Sequence, residues 1–289
     1  MAIFFPVTGT GLGEAIDLSG LPDPGATNGY RLFALGGDDI ITGRTEADRP
    51  DIINAGAGND TVNANAGNDT VNGGAGRDLL NGQAGNDLIR GDAGNDTLNG
   101  GNDNDQLLGG DDNDLIHGDA GNDAINGDAG NDTVYGDLGN DAVFGGAGND
   151  WVFGNAGNDT LIGGAGNDAL VGGADRDVFL FDTAGNSTSA PERDTIFDFE
   201  MRFNARQDLI DLRAFNIGVG QVKIDQPVIG AFAQSTRTIW VDTDKDGNFY
   251  DNLIITVSAQ NLAGVADSLD IIDWPFPFLP AGGDPEILI

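Results

Sequence analysis

The sequence predicts an all-β chain whose middle is a two-sheet parallel solenoid of about seven coils, each 18 residues long. Three observations predict it. Between residues 51 and 180 an Asp recurs every nine residues, fifteen times without a slip. Two residues after each Asp stands an apolar residue, from Ile53 and Val62 to Leu170 and Phe179. The four or five residues ahead of each Asp are mostly Gly, Asn, Asp or Ala, which suit a tight turn. A disordered acidic linker would share the composition but has no reason to keep a branched apolar residue in phase.

Residues 1–50 read as a lead-in. Ile3-Phe4-Phe5-Pro6-Val7 suits a short strand, and residues 8–13 and 22–29 are rich in turn formers. Leu35-Gly36-Gly37-Asp38-Asp39-Ile40-Ile41 looks like a degenerate repeat, twelve residues ahead of Asp51. A three-residue insertion within 44–50 therefore breaks the phase. The expected role is an opening coil that caps the end of the solenoid, since repeat arrays need atypical ends.

Residues 51–180 carry the repeat. The three residues after each Asp alternate out, in, out, so each nonamer is expected to be one turn and one short strand with a single inward apolar side chain. Gly at the fifth and second positions before the Asp suits backbone of positive φ. Where the second Gly is missing, Asp103, Asp112 and Asp175 replace it, and Asp tolerates the left-handed region. Asp residues 18 apart would stack on one edge, and like charges at that spacing repel. A hard divalent cation between turns removes the repulsion. Ca2+ fits better than Mg2+, because it accepts six to eight oxygens, backbone carbonyls included, in flexible geometry. The ligands expected are the carboxylates of Asp60, Asp69, Asp78, Asp87, Asp96, Asp105, Asp114, Asp123, Asp132, Asp141, Asp150, Asp159, Asp168 and Asp177. The turn backbone at Gly73, Gly82, Gly91, Gly100, Gly109, Gly118, Gly127, Gly136, Gly145, Gly154 and Gly163 completes the expected set. The number of ions expected is on the order of ten.

This stretch resembles the RTX (haemolysin-type) calcium-binding repeat family, with its G-G-x-G-x-D-x-U-x nonapeptide. Gly73-Gly74-Ala75-Gly76-Arg77-Asp78-Leu79-Leu80-Asn81 fits the whole pattern, and so does Gly163-Gly164-Ala165-Gly166-Asn167-Asp168-Ala169-Leu170-Val171. The resemblance implies a right-handed parallel β-roll with Ca2+ in its turns. Ala55 and Ala64 replace the first Gly in the two earliest repeats, so distorted or weak first turns are expected there.

The outward positions divide the roll. Three residues after the Asp, the early repeats carry Asn54, Asn63, Asn72, Asn81 and Asn99, which suits stacked Asn ladders. The late ones carry Tyr135, Phe144, Phe153, Ile162, Val171 and Leu180, with Trp151 beside them. Two readings of this apolar face stand: residues 181–289 fold back over it, or another molecule contacts it.

Residues 181–289 hold strand-like segments such as Thr195-Ile196-Phe197-Asp198-Phe199 and Leu253-Ile254-Ile255-Thr256-Val257. With Asp177-Val178-Phe179-Leu180-Phe181-Asp182 and Asp208-Leu209-Ile210-Asp211-Leu212 they are similar to the β-sandwich that follows the repeats in serralysin-type secreted proteins. A C-terminal β-sandwich-like cap is expected. Glu286-Ile287-Leu288-Ile289 resembles the uncleaved signal of type I secretion, which implies that export machinery as a partner. The loop Asp242-Thr243-Asp244-Lys245-Asp246-Gly247-Asn248 has the spacing of an EF-hand, with Asp242, Asp244 and Asp246 as ligands of one further ion. Its twelfth position is Leu253, not Glu, and an Asp/Gly turn between strands is the competing reading.

The 289 residues hold 47 acids, 13 bases and no Cys. The charge argues against nucleic acid and anionic membranes and for cations. No apolar run reaches transmembrane length, and the first residues lack the basic region and long apolar core of a Sec signal. A single histidine, His117, excludes the H-E-x-x-H zinc-protease motif, and no G-x-S-x-G occurs. No enzyme is expected. The reading is a secreted calcium-binding structural protein that self-associates in a surface layer or extracellular matrix. The alternative is a soluble module for calcium buffering, adhesion or ice binding. Ice binding wants an outward Thr ladder, and the position three before the Asp is mainly Ala, as at Ala57, Ala66, Ala75, Ala84 and Ala93.

Overall fold

The computed structural model describes residues 5–8, 11–19, 30–45, 49–181, 193–198, 209–211, 222–224, 234–241, 253–260 and 287–288. Among them the only regular elements are strands. The lead-in supplies β1 (Phe5–Thr8), β2 (Ala15–Asp17), β3 (Tyr30–Phe33) and β4 (Ile40–Thr42). The repeat supplies β5 (Ile52–Ala57), β6 (Thr61–Asn63), β7 (Thr70–Ala75), β8 (Leu79–Ala84), β9 (Leu88–Ala93), β10 (Thr97–Asn102), β11 (Gln106–Asp111) and β12 (Leu115–Ala120). It continues with β13 (Ala124–Ala129), β14 (Thr133–Leu138), β15 (Ala142–Ala147), β16 (Trp151–Ala156), β17 (Thr160–Ala165), β18 (Ala169–Ala174) and β19 (Val178–Leu180). The C-terminal part adds β20 (Arg193–Ile196), β21 (Leu209–Asp211), β22 (Val222–Ile224), β23 (Gln234–Val241), β24 (Leu253–Gln260) and β25 (Ile287–Leu288).

Odd strands up to β21, with β25, form one sheet; even strands up to β20, with β24, β23 and β22, form the other. Each repeat strand pairs in parallel with the strand two places on, so Val71 lies beside Ile89 and Leu98 beside Ile116, 18 residues apart. The chain is the two-sheet parallel solenoid that the period predicts. The core is one aliphatic row per sheet. Ile53, Val71, Ile89, Leu107, Ile125, Val143, Leu161 and Phe179 line one sheet, and Val62, Leu80, Leu98, Ile116, Val134, Val152 and Leu170 the other, all fully buried or within 1% of it.

Two local expectations change. Most repeat strands are six residues long, not three, because the fourth residue after the Asp also points inward. That residue is the Gly expected to need positive φ. Gly73, Gly82, Gly91 and their equivalents to Gly163 have no positive φ. Space is the reason for Gly there: a Cβ on Gly73 would stand 2.4 Å from Asp78 Oδ2 and 2.9 Å from Gly91 O. The left-handed residue is the next one along, as at Asp92 (φ 74°), Asp119 (67°), Asp128 (68°) and Asn155 (73°). At the second position before the Asp the expectation holds except at Gly121, and Asp103, Asp112 and Asp175 are left-handed at 74°, 75° and 81°.

The lead-in is more than one degenerate coil. β1 to β4 are already in register with the two sheets, Ile41 pairing beside Val62 and Leu32 beside Ile53. At the other end β20 and β24 prolong one sheet in parallel, β23 and β22 follow antiparallel, and β21 and β25 prolong the other sheet. Phe197 stacks on Trp151 at 5.6 Å, yet Trp151 is 47% exposed and Phe144 38%. The loop with Asp242, Asp244 and Asp246 lies outside the described residues.

Candidate metal centre

Each turn between strands delivers an Asp to the edge of the roll, where the carboxylate folds back under the turn. All the repeat Asp residues from Asp51 to Asp177 are buried, none more than 4% exposed. Their Oδ1 atoms have a fixed partner. Asp78 Oδ1 accepts the Asp60 N–H at 2.8 Å, Asp96 Oδ1 that of Asp78 at 2.8 Å, and Asp114 Oδ1 that of Asp96 at 2.8 Å. The same ladder runs along the opposite edge through Asp69, Asp87, Asp105 and Asp123 at 2.7 Å per step. Each carboxylate thus reaches back to the coil before its own, and it closes a backbone donor that the sheets leave unpaired at the turn.

The other oxygen has no such partner. From Asp60 through Asp159 every Oδ2 is buried without a hydrogen bond. A buried ionised oxygen in that state is costly. Without a cation, burial above all, with neighbouring carboxylates adding at all but Asp150, pushes these acids up. Asp69 and Asp105 rise to about 8, Asp87, Asp96, Asp114, Asp132 and Asp141 to about 7, and Asp78, Asp123, Asp150 and Asp159 to about 6. The hydrogen bond at Oδ1 opposes this rise but does not cancel it.

Beside the Oδ2 atoms from Asp78 on is the space left by the inward Gly. A Cβ on Gly109 would meet Asp114 Oδ2 at 2.3 Å and Gly127 O at 2.6 Å. A carboxylate oxygen of one turn and a carbonyl oxygen of the next coil therefore face the same small volume, which no side chain fills. Among the described residues no three acidic or His side chains converge on one point. A cation here must draw on backbone carbonyls, one carboxylate per turn. This donor set fits a hard cation such as Ca2+ and fits poorly a thiophilic or imidazole-seeking metal. The structure places the Asp and Gly residues of the sequence reading side by side at each turn from Gly73 on, and Ala55 and Ala64, both fully buried, stand where later turns have Gly.

One set of residues escaped that reading. The Asn before twelve of the fifteen Asp residues forms a second ladder in the opposite direction; Pro50, Arg77 and Arg176 take its place before Asp51, Asp78 and Asp177. Asn86 Oδ1 accepts the Asn104 N–H at 2.9 Å, Asn104 Oδ1 that of Asn122 at 2.6 Å, and Asn140 Oδ1 that of Asn158 at 2.8 Å. Asn reaches forward and Asp reaches back, which is why the triplet Gly-Asn-Asp recurs. The recurrence itself was the available signal. The outward Asn ladder expected at Asn63, Asn81 and Asn99 is present, with amide bonds of 3.1 and 2.8 Å. Further along that face His117, Tyr135 and Phe153 stack at 4.5 and 4.7 Å, and His117 Nδ1 lies 2.9 Å from Asp137 Oδ2.

The family comparison agrees with this geometry. Four copies of the RTX calcium-binding nonapeptide repeat match residues 47–80, 73–107, 108–143 and 144–179. Among solved structures, the chain is similar to the AlgE6R3 subunit of the mannuronan C5-epimerase of Azotobacter vinelandii, seen in its solution structure. The two are 25% identical over 54% of this chain and 91% of that one, with a TM-score of 0.33. None of the curated proteins matches the chain. Residues 47–179, with their buried Asp ladders and glycine-lined turns, match the RTX calcium-binding nonapeptide repeat throughout.

Proposed function

We propose that this chain is a secreted, calcium-binding structural protein whose roll folds only when Ca2+ fills the turns outside the cell. The observation that carries the reading is the column of buried carboxylates, each with one oxygen left without a partner from Asp60 to Asp159. When bound, Ca2+ supplies the positive charge that lets these acids ionise in a buried place. The residues that hold it are the Asp carboxylates from Asp60 to Asp177 and turn carbonyls, and the number of ions is on the order of ten. One aliphatic side chain per nine residues is a thin core, so cation binding becomes folding free energy. At low intracellular Ca2+ the chain stays expanded and exportable. At about 10⁻⁴–10⁻³ M, the range of extracellular modules, it stacks. Export by type I machinery, with residues 181–289 as cap and tail, is part of this reading.

Self-assembly in a surface layer or matrix rests on the apolar late coils, where Leu138 is 62% exposed and Trp151 and Phe144 stand out on the two outer faces. The test is a Ca2+ titration of EDTA-stripped protein, followed by circular dichroism, light scattering and negative-stain microscopy. A coil-to-β transition ending in ordered sheets or filaments supports the full reading. The same transition ending in a monomer leaves a soluble calcium-binding module. Asp114→Ala is expected to remove one ion and lower stability; an unchanged folding midpoint in Ca2+ would show that Asp114 is no ligand.

A further inference from the structure

The late coils are apolar on both outer faces, but the two faces differ. On the even-strand face the rings are engaged with one another and with the C-terminal part of the chain. His117, Tyr135 and Phe153 stack in one column, and Trp151 lies 5.9 Å from Phe153 and 5.6 Å from Phe197, just after β20. Two carboxylates, Asp119 and Asp137, stand beside that column, close enough for the charge of Asp137 to raise Asp119. Leu138 projects next to them, 62% exposed. A second copy laid on this face would meet carboxylates with carboxylates, and like charges repel.

The odd-strand face has neither feature. β15, β17 and β19 contain no charged residue at all. In a chain of formal charge −34, that is where two copies approach with least repulsion. The face also has a large half and a small half. Phe144 and Ile162 stand side by side on neighbouring strands, with Leu180 at the same place on β19. Phe144 is 38% exposed and Ile162 8%, so Phe144 rises as a ridge. Further along the same strands Gly146 pairs beside Gly164 and Ala147 beside Ala165, which leaves that half flat. The equivalent positions of β14 on the other face hold Asp137 and Leu138.

We propose that the outer face of β15, β17 and β19 is a contact between two copies of this chain, packed sheet on sheet about a two-fold axis. With the strands antiparallel across the contact, Phe144 of each copy lies over Gly146 and Ala147 of the other, so the patch is complementary to itself. Ridge then meets flat at the separation of about 10 Å usual for stacked sheets. The footprint of the three strands is roughly 240 Å² per copy, at about 3.3 Å per residue and 4.8 Å between strands. A stable dimer buries about 800 Å² per partner. The pair is therefore weak in dilute solution and holds where copies are concentrated. The proposal rests on the reading that the chain self-assembles through its late coils, and it assigns that contact to one face.

Sedimentation velocity of the full chain in Ca2+, over a concentration series, tests it, with circular dichroism as the check on folding. Phe144→Glu and Ala147→Glu place a carboxylate on the large and the small half of the face. Trp151→Glu places one on the opposite face. Wild type is expected to move from monomer towards dimer as concentration rises. F144E and A147E should each raise the dissociation constant by about tenfold or more, with β content kept, and W151E should leave it unchanged. Should Phe144→Glu lower β content, Ala147→Glu decides alone, since Ala147 is exposed. Association that survives both F144E and A147E, or that W151E weakens as much, overturns the proposal while leaving self-assembly in place. A wild-type chain that stays monomeric in Ca2+ at every concentration refutes the self-assembly reading itself.

Discussion

Gly109→Ala separates two explanations for the inward glycines. Its φ is not in the left-handed region, so backbone preference alone sets no penalty. Replacing Gly by Ala at a compatible φ normally stabilises by about 0.4–1 kcal/mol, through the unfolded chain. The space argument has the opposite sign. The new methyl would stand 2.3 Å from Asp114 Oδ2 and 2.6 Å from Gly127 O, where ordinary contact begins at 3.4 Å. Relief requires a movement of about 1 Å. The Asp114 carboxylate cannot make it freely, because its Oδ1 holds the Asp96 N–H at 2.8 Å. Overpacking of this kind costs about 1–3 kcal/mol. Urea denaturation at saturating Ca2+ should show that loss, and ion counting should show one ion fewer. A variant as stable as wild type, or more so, with the full ion count would refute the reasoning and return the glycine to a backbone role.

Two further outcomes are expected. In EDTA the folded state holds protons that the unfolded chain releases above a pKa of about 3.9. The raised acids therefore favour the roll fully below that pH and lose their contribution as pH rises through about 6 to 8. Metal-free protein should gain β signal on going from pH 8 to pH 5, and apparent Ca2+ affinity should fall over the same range as protons compete; metal-free β content that rises with pH contradicts this. Asn104→Ala removes the acceptor of the Asn122 N–H at an exposed edge, and about 0.5–1.5 kcal/mol of stability should go with it. Its ion count should stay at the wild-type value, so a lost ion would place Asn104 in the cation site.

Period and chemistry made most of the roll legible in the sequence. Asp fixed the turn, the residue two places on fixed the core, and Asp103, Asp112 and Asp175 marked the left-handed positions correctly. What escaped lay where two causes give the same residue. Gly73 is Gly for want of space and Gly74 for its φ of 111°, and the letters alone do not tell these apart. Asp92 and Asn155, at the position of Gly74, held the clue. The Asn ladder was missed because an exposed Asn before an Asp reads as simple turn polarity. Its partner lies 18 residues away, and only the stacked coils bring it near. The lead-in was underestimated for a related reason. An insertion shifts the phase of the letters but leaves Ile41 beside Val62.

The opposed ladders make this roll count in pairs. Asp and Asn each bond a residue 18 positions away, on the same edge. Gain or loss of 18 residues would leave every later strand in its own sheet. Gain or loss of nine would send each of them to the opposite sheet, and the ring of His117 would no longer share a face with strands that precede the change. Length can therefore vary by whole coils without redesign, while a single nonamer reverses the two faces from that point on. The insertion ahead of Asp51 and the 26-residue step from Asp168 to Asp194 obey this parity, since both return the chain to the edge it left. A rod of this design can lengthen without losing the distinction between its two sides.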